Sequence, residues 1–112
     1  MVAAGYIPAL GDIVWLHFDP QAGHEQAGHR PALVLSPSAY NGARGMMICC
    51  PMTTRIKAYP FEVLIDQEPP AVALADQIKS LDWRARRAAH KGRASAREVA
   101  EVQAKVRALL GL

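Results

Sequence analysis

The sequence predicts an α+β domain in which a compact, barrel-like antiparallel sheet of short strands precedes one C-terminal helix. Several short segments rich in Val, Ile, Trp and Phe are separated by Gly, Pro and Asn signals that are typical of tight connections. After the last of these segments, Ser95 and Glu98 form a capping-box pattern, and Val99, Val102 and Val106 recur on one helical face.

The strands are predicted from alternation and from β-branched and aromatic enrichment. They lie at 12–18, 32–36, 46–52 and 61–65, with a possible fifth strand at 72–78 that 81–84 extends or follows. The second strand is apolar throughout, so we expect it to be buried on both faces.

The remaining segments are predicted as connections and a helix. Residues 21–30 contain no apolar side chain larger than alanine and are expected to form a long exposed loop. Residues 37–45 carry Ser-Pro and Asn-Gly signals and are expected to connect two strands. The apolar face of the helix continues through Leu109 and Leu110, and Gly111 lies at its expected end.

Length and composition limit the class of protein. The 112 residues suffice for one domain, expected to span residues 1–112. Hydrophobic residues make up 51% and charged residues 21%, a balance typical of a soluble globular protein rather than a disordered one. No stretch approaches the ~18 apolar residues of a membrane span. Residues 1–8 lack the features of a signal peptide.

The two cysteines, Cys49 and Cys50, are adjacent. Neighbouring residues of a strand point to opposite faces, so a disulfide between them would be strained. The pair therefore favours a reducing cytoplasm as the location of the protein. The net charge of +3 permits an anionic partner but does not demand one.

An anion site is one interpretation of the polar residues that flank the strands. Arg30 stands where the loop re-enters the second strand, and a guanidinium fork matches a phosphate or a carboxylate. Thr53 and Thr54 follow the third strand and can donate hydroxyl hydrogen bonds to the same anion. The alternative is a polar loop without a function of its own.

Proton transfer is a second possible role of this loop. His24 or His29 has the chemistry of a proton shuttle, and Glu25 that of a general base. The alternative for His29 is simple packing or solvation. No metal site is predicted, because a glycine-rich loop lacks the i, i+4 helical frame of an H-E-x-x-H motif.

A basic run follows the fifth strand and consists of Arg84, Arg86, Arg87, His90, Lys91 and Arg93. It is compatible with a solvated face of a helix or loop and with contact to an anionic partner.

Six short motifs occur in a fixed order: Gly11-Asp12-Ile13-Val14-Trp15, Glu25-Gln26-Ala27-Gly28-His29-Arg30-Pro31, Val34-Leu35-Ser36-Pro37, Pro51-Met52-Thr53-Thr54, Tyr59-Pro60-Phe61-Glu62-Val63 and Ala73-Leu74-Ala75-Asp76-Gln77. In this combination the sequence resembles the MazF branch of the MazF/PemK (Kid) toxins, over essentially the whole chain.

The resemblance implies a small SH3-like antiparallel β-barrel of the CcdB/PemK type, with helices, that forms a homodimer. It implies a metal-independent endoribonuclease without a cofactor, cutting single-stranded RNA at specific sequences. The expected substrates are mRNA and, for some members, rRNA or tRNA. The expected protein partner is a MazE-like antitoxin, and the expected effect of the free toxin is growth arrest.

The resemblance also implies roles for particular residues. Arg30 matches the catalytic arginine before proline, and Thr53 matches the catalytic threonine after the third strand. Glu25 matches a loop glutamate that supports activity. With the 2′-OH of RNA as nucleophile, we expect Arg30 and Thr53 to stabilise the phosphate and His24 or Glu25 to move protons.

In the Kid branch, a loop histidine, an arginine and an aspartate carry the corresponding roles. His24 and Asp76 match the first and the last of these. Leu74 occupies the arginine position, so we favour Arg30 with Thr53 for the chemistry and expect Asp76 to contact RNA.

Further RNA contacts are expected from side chains near these motifs. Trp15 and Tyr59 are candidate platforms on which bases stack. The alternative for Trp15, which we slightly favour, is a place in the core or in a dimer interface. Lys57, Gln77 and Lys79 are candidates for backbone or base contacts.

Two other classes of function remain open at this point. Gyrase inhibitors similar to CcdB share the fold but rely on a tryptophan close to the C-terminus, whereas the last tryptophan here is Trp83. A non-catalytic SH3-like binding module would bind RNA or protein without cutting.

Overall fold

The computed structural model describes residues 5–18 and 28–112. The strands of this part are β1 Asp12–Phe18, β2 Gly28–Val34, β3 Met46–Thr53, β4 Glu62–Ile65, β5 Ala71–Leu74, β6 Lys79–Asp82 and β7 Ala89–Arg93. Its helices are α1 Ser38–Arg44 and α2 Ala96–Leu110, and a short 3-10 helix covers Ala75–Gln77.

All the strand pairs are antiparallel, in the order β4-β5-β3-β2-β1-β7. Strand β3 is the centre of this arrangement. Its first half pairs with β6 and its last two residues, Met52 and Thr53, pair with β5. The sheet curls around β3, and with α2 it confirms the predicted α+β barrel-like class.

Each face of the sheet has its own apolar core. The first core lies between the sheet and α2, and it includes Ile13, Leu33, Cys50, Val63 and Val102. Burial of apolar area of this kind contributes roughly 25 cal/mol per Å². The helix is therefore held on the sheet mainly by its Val99 and Val102 face.

The second core lies on the opposite face. It includes Val14, Leu16, Cys49, Trp83 and Ala88. Successive residues of β1 and β3 thus enter opposite cores, as strand alternation requires. The cysteines are free and buried on opposite faces, in agreement with the prediction.

A buried carboxylate joins the beginning of β1 to the end of β7. Asp12 is 5% exposed and accepts hydrogen bonds from the Tyr6 hydroxyl at 2.8 Å and from the Ala9 N–H at 3.0 Å. Its other oxygen accepts from Arg93 at 2.7 Å. Paired in this way, a buried charge is tolerated, and three separate segments are fixed around it.

A second buried polar group is Asn41 of α1. Its amide donates to the carbonyl oxygens of Pro8 and Ser36, and its side-chain oxygen accepts from the Ser36 hydroxyl at 2.6 Å. The Trp83 indole N–H donates to the Asn41 backbone oxygen at 2.9 Å. Within the described residues no buried side-chain polar atom lacks a partner.

Strand β1 and helix α2 follow the predictions closely. The capping box is present, since the Ser95 hydroxyl accepts from Glu98 N and the Glu98 carboxylate accepts from Ser95 N. The apolar helix face packs on the sheet as far as Val106, whereas Leu109 and Leu110 at its end are exposed at 46% and 60%.

Three other expectations are corrected. Strand β2 begins at Gly28, inside the segment predicted as loop, because His29 and Arg30 pair with His17 and Leu16 of β1. Residues 37–45 contain helix α1, which ends at Gly45 with φ 70°. The single strand predicted at 72–78 is interrupted by the 3-10 helix, after which β6 begins.

The basic run at 84–93 forms a turn followed by strand β7. Strand β7 was not predicted from the sequence, because its residues are polar or small and its structure depends on pairing with β1. No helix of the described part is long and apolar enough to cross a membrane.

Candidate active site

Arg30 projects from a strand that is firmly anchored. It pairs with Leu16 of β1, and the next residues along β2, from Ala32 to Val34, are buried. The Arg30 side chain itself is exposed and makes no hydrogen bond or ion pair with any residue that the structure describes. A guanidinium on a fixed base is therefore available to an external anion.

Thr53 is the last residue of β3 and is half-buried, opposite Val72 of β5. Its hydroxyl oxygen accepts a hydrogen bond of 3.1 Å from the Arg55 backbone N–H. A hydroxyl has one donor and two acceptor positions. Because an acceptor position is used internally, the Thr53 hydroxyl hydrogen remains available to donate to a ligand.

The segment 55–60 after β3 is organised by the carboxylate of Glu62. Both of its oxygens lie 3.2 Å from the Lys57 backbone nitrogen, and one lies 3.3 Å from that of Tyr59. The segment turns at Ala58, where φ is 57°, and Lys105 of α2 donates to the Pro60 carbonyl oxygen at 2.7 Å. These contacts hold an otherwise exposed loop in one shape.

Tyr59 and Asp76 meet across the end of the sheet. The Tyr59 hydroxyl donates to the Asp76 carboxylate at 2.8 Å, and the ring is 46% exposed. This hydrogen bond to a charged acceptor raises the pKa of Tyr59, because it favours the protonated phenol. The ring thus presents a face to solvent while its polar end is fixed.

These elements enclose a cleft of about 780 Å³, which we call the main cleft. It brings together six of the site residues predicted from the sequence, namely Arg30, Thr53, Lys57, Tyr59, Asp76 and Gln77. Leu74, in the position of the Kid-type arginine, also lines it.

The other predicted residues have different positions. Trp15 lies in an adjoining cavity of about 300 Å³ that shares Arg30 and Thr53 with the main cleft. It is half-buried and belongs to neither core cluster, in contrast to the core alternative. Lys79 lines a small pocket of about 40 Å³ with Arg30. His24 and Glu25 lie outside the described residues.

The charges of the main cleft favour an anionic ligand. Arg30, Arg55 and Lys57 line it, and the salt bridges of the described residues all involve Asp12 instead. The two carboxylates of the cleft, Glu62 and Asp76, accept hydrogen bonds from the protein. The three cations therefore retain their charge for an external partner.

Arg55 and Glu62 are residues that the sequence analysis missed. Arg55 directly follows the threonine pair, and this position was the available signal for a third cation. For Glu62, the sequence offers no comparable signal, because its role depends on the return of the chain to β4.

Comparison with known proteins agrees with this geometry. Residues 9–110 match the family described as the PemK-like, MazF-like toxin of type II toxin-antitoxin systems. The chain belongs to this family. The match covers all the strands and helices given above, from before β1 to the last residue of α2.

Individual relatives support the assignment over nearly the full chain. The Endoribonuclease toxin MazF of Escherichia coli K12 is 53% identical over 107 residues, covering 95% of this chain and 96% of that protein. The Endoribonuclease toxin ChpB of the same strain is 36% identical, covering 89% and 91%.

The fold of this chain also matches that of a solved structure. MazF in a MazE-MazF crystal structure from Deinococcus radiodurans superposes with a TM-score of 0.89 at 55% identity, covering 96% of this chain and 98% of that one. The fold and the family are thus established independently of the predicted motifs.

Proposed function

We propose that this toxin is an endoribonuclease that cleaves single-stranded RNA in its main cleft. The observation that carries the proposal is the convergence of Arg30, Thr53 and Tyr59 in one cationic cleft. The relatives named above are endoribonucleases at 53% and 36% identity, which supports the same activity here.

The cleft suits an unpaired strand rather than a duplex. Bases of a single strand can leave their stack, lie on an aromatic ring and be read along their edges. Tyr59 offers such a ring, and Asp76 and Gln77 beside it offer hydrogen-bonding groups. The sequence specificity that we propose would arise from these groups, with Lys57 and Arg55 along the RNA backbone.

The reaction that fits these residues is transesterification within the RNA. The 2′-OH loses its proton and attacks the adjacent phosphorus, and the bond from phosphorus to the 5′ oxygen breaks. The 5′ oxygen takes up a proton, so the products are a 2′,3′-cyclic phosphate and a 5′-OH. No metal or cofactor is required by this scheme.

Arg30 and Thr53 have complementary roles in this reaction. The Arg30 fork binds the non-bridging phosphate oxygens and stabilises the additional negative charge of the transition state. The free hydroxyl hydrogen of Thr53 donates to the same phosphate. Glu25 and His24, which precede β2 in the sequence, are proposed to move the two protons.

The proposed biological setting follows from the family. Toxins of type II systems are paired with an antitoxin, and the solved MazE-MazF relative contains such a pair. We propose a MazE-like antitoxin as partner, a homodimer as the active form and the cytoplasm as location. Cleavage of mRNA, and of rRNA or tRNA where sites are exposed, would then arrest growth.

The test is cleavage of a long unstructured RNA in excess EDTA, with every new 5′ end mapped by primer extension. We expect cuts at one recurring short sequence, with 5′-OH ends and cyclic phosphates. Arg30→Ala and Thr53→Ala should each lower the cleavage rate by about 10²-fold or more, whereas Arg97→Ala, at an exposed arginine of α2, should not.

Two results would contradict the proposal. Correctly folded dimer that binds RNA without cutting would indicate a non-catalytic binding module. Inhibition of gyrase supercoiling without RNA cleavage would indicate a function similar to that of CcdB.

A further inference from the structure

A second groove lies at the other end of the Trp15 cavity. It has a volume of about 540 Å³ and is lined by His17, His29, Arg84 and Arg87 together with parts of the Trp83 turn. We call it the His17–Arg87 groove. His29 lines both this groove and the Trp15 cavity, which in turn shares Arg30 with the main cleft. Through these shared residues the three depressions adjoin one another, and we call the series the path.

A row of rings runs along this path. His17 and His29 are cross-strand partners in β1 and β2, with ring centroids 5.2 Å apart and planes at 75°. The centroids of His29 and Trp15 are 6.0 Å apart. Lys91 of β7 places its ammonium 5.2 Å from the Trp15 ring centroid, within cation–π range. Three neighbouring rings thus lie outside the main cleft, with Lys91 against Trp15 and with Arg84 and Arg87 lining the same groove as His17.

The two arginines of the His17–Arg87 groove differ in the contacts that their side chains make. Arg84 donates to the Gly42 carbonyl oxygen at 3.1 Å and lies 4.7 Å from the centroid of the Trp83 ring. Arg87 is exposed, and its guanidinium makes no hydrogen bond or ion pair with any residue that the structure describes. Its backbone has a φ of 53°, a left-handed conformation that an arginine rarely adopts. No carboxylate is found among the described residues that line the groove.

We propose that the His17–Arg87 groove binds the nucleotides flanking the cleavage site, with their phosphates at Arg84 and Arg87 and a base against the histidine pair. This inference rests on the proposed ribonuclease function and extends the RNA path beyond the main cleft. RNA fits the groove better than an acidic peptide does. A nucleic acid strand carries both bases and phosphates, which match the rings and the cations that line the groove. The carboxylates of an acidic peptide would match the cations alone.

The test compares two RNAs that carry the mapped cleavage sequence with a 2′-O-methyl group at the cut, so that neither can be cleaved. One RNA is the minimal site, and the other extends it by about five nucleotides at each end, enough to bring several more phosphates into reach. Dissociation constants are measured by fluorescence anisotropy over a range of salt concentrations. In the wild-type protein, the extended RNA should bind more tightly and with a steeper salt dependence.

Arg87→Gln should lower the ratio of extended to minimal RNA affinity by about three- to tenfold, and the salt slope for the extended RNA should fall by about 0.7 for one lost phosphate contact. Arg87→Gly should do the same while relieving the left-handed backbone, so misfolding cannot explain the loss. His17→Ala should lower the ratio through lost stacking. Arg97→Gln, which removes one exposed arginine from α2, is the matched control and should leave the ratio unchanged.

The possible failures are distinguishable. If neither RNA binds the wild-type protein, both the proposed function and this inference are overturned. If the RNA is bound and cleaved but Arg87→Gln and Arg97→Gln give equal ratios, only the inference fails. The same holds if Arg87→Gln weakens binding of a polyglutamate peptide and leaves the RNA ratio unchanged, since the groove would then be a peptide site.

Discussion

The Tyr59 hydroxyl donates a 2.8 Å hydrogen bond to the Asp76 carboxylate, and this contact joins the loop after β3 to the 3-10 helix after β5. The two segments have no strand pairing with each other at this point. This side-chain contact adds to the 3.0 Å hydrogen bond from the Ala75 N–H to the Phe61 carbonyl oxygen, which holds the 3-10 helix beside the end of the loop. The energetic value of the side-chain contact for the fold is small, as is usual for exposed polar contacts, so its importance lies in the placement of the Tyr59 ring.

Tyr59→Phe and Tyr59→Ala separate the hydrogen bond from the ring. We expect Tyr59→Ala to weaken RNA binding by about 1–3 kcal/mol, the value of one base stacked on an aromatic side chain. Tyr59→Phe keeps the ring and should cost less than half as much. Titration of uncleavable RNA measures both, and equal losses in the two variants would contradict a stacking role.

Thr53 offers a test of hydroxyl donation, because valine has nearly the same shape without the hydroxyl. We expect Thr53→Val to lower the single-turnover cleavage rate by about 10²-fold, a typical cost of removing one donor to a developing negative charge. Thr53→Ser retains the donor and should keep most of the activity. A Thr53→Val protein with the wild-type rate would exclude this residue from the chemistry.

Glu62 is predicted to position the loop at 55–60 rather than to touch the scissile phosphate. Glu62→Ala leaves the Lys57 and Tyr59 backbone N–H groups without their acceptor, so the loop loses its fixed shape. We expect a several-fold rise in KM with a smaller change in kcat, because uniform binding is lost. Glu101→Ala, at an exposed position of α2, is the control. A pure loss of kcat would place Glu62 in the chemistry instead.

The buried thiols make stability depend on alkaline pH. Burial raises the pKa of Cys49 to about 11, and burial together with the neighbouring Cys49 raises the pKa of Cys50 to about 12. In the unfolded chain, thiols ionise near pH ~8.5. The unfolded state therefore binds fewer protons above this pH, and the stabilisation present below it is lost as the pH rises towards the folded values.

Urea unfolding at pH ~7.5 and pH ~10 measures this effect. We expect the two thiols together to account for a decrease of about 2–4 kcal/mol between these conditions. The Cys49→Ala/Cys50→Ala protein is less stable at both pH values but should lack that part of the decrease. If the free energy of unfolding fell by the same amount in both proteins between the two pH values, the thiols would not be protected by the fold.

Glu98 should make the stability of the fold depend on acidic pH, in the direction opposite to that of the thiols. Burial alone would raise its pKa, but hydrogen bonds from the Asp66 and Ser95 N–H groups outweigh burial and lower the pKa. Its stabilising effect is therefore present above the unfolded value of ~4.3 and is lost as the pH falls through the folded value.

The variant Glu98→Gln keeps the shape of this side chain and removes its charge. We expect a loss of about 0.5–2 kcal/mol at neutral pH, the range of a helix cap. The difference from wild type should shrink as the pH falls below about 4. Glu101→Gln is the matched control in the same helix. A difference that is independent of pH would assign the effect to packing.

Strand β1 and helix α2 could be predicted from the sequence because their signals are local. Alternation in β1 and the Ser95–Glu98 box belong to single segments and need no knowledge of the rest of the chain. Helix α1 was missed because its Asn41-Gly42 pair is typical of a turn. In the fold, Asn41 is fully buried and linked to Ser36 and Pro8, so tertiary contacts outweigh the turn preference.

Long-range geometry explains the other differences. Ala71, Ala73 and Ala75 all enter the core below α2, a spacing that also suits a continuing strand, so local alternation did not reveal that β5 ends at Leu74. The gathering of Arg30, Thr53 and Asp76 could be expected from the family resemblance, but not from periodicity, since these residues belong to separate segments. Arg87 and His17 could not be placed together from the sequence, because a turn and a strand register bring them to one groove.

Strand β1 pairs with β7, and the 2.7 Å contact between Asp12 and Arg93 supports this pairing. The pairing determines when the toxin becomes active during its synthesis. Strand β1, which supports Arg30 through its pairing with β2, has its other edge covered by residues 89–93 and by Arg86, whose carbonyl oxygen accepts from the His17 N–H at 2.7 Å. Contacts between segments this far apart form late in folding. A ribosome must therefore synthesise most of the chain before the sheet closes, so an active nuclease is delayed until translation of the toxin is nearly complete.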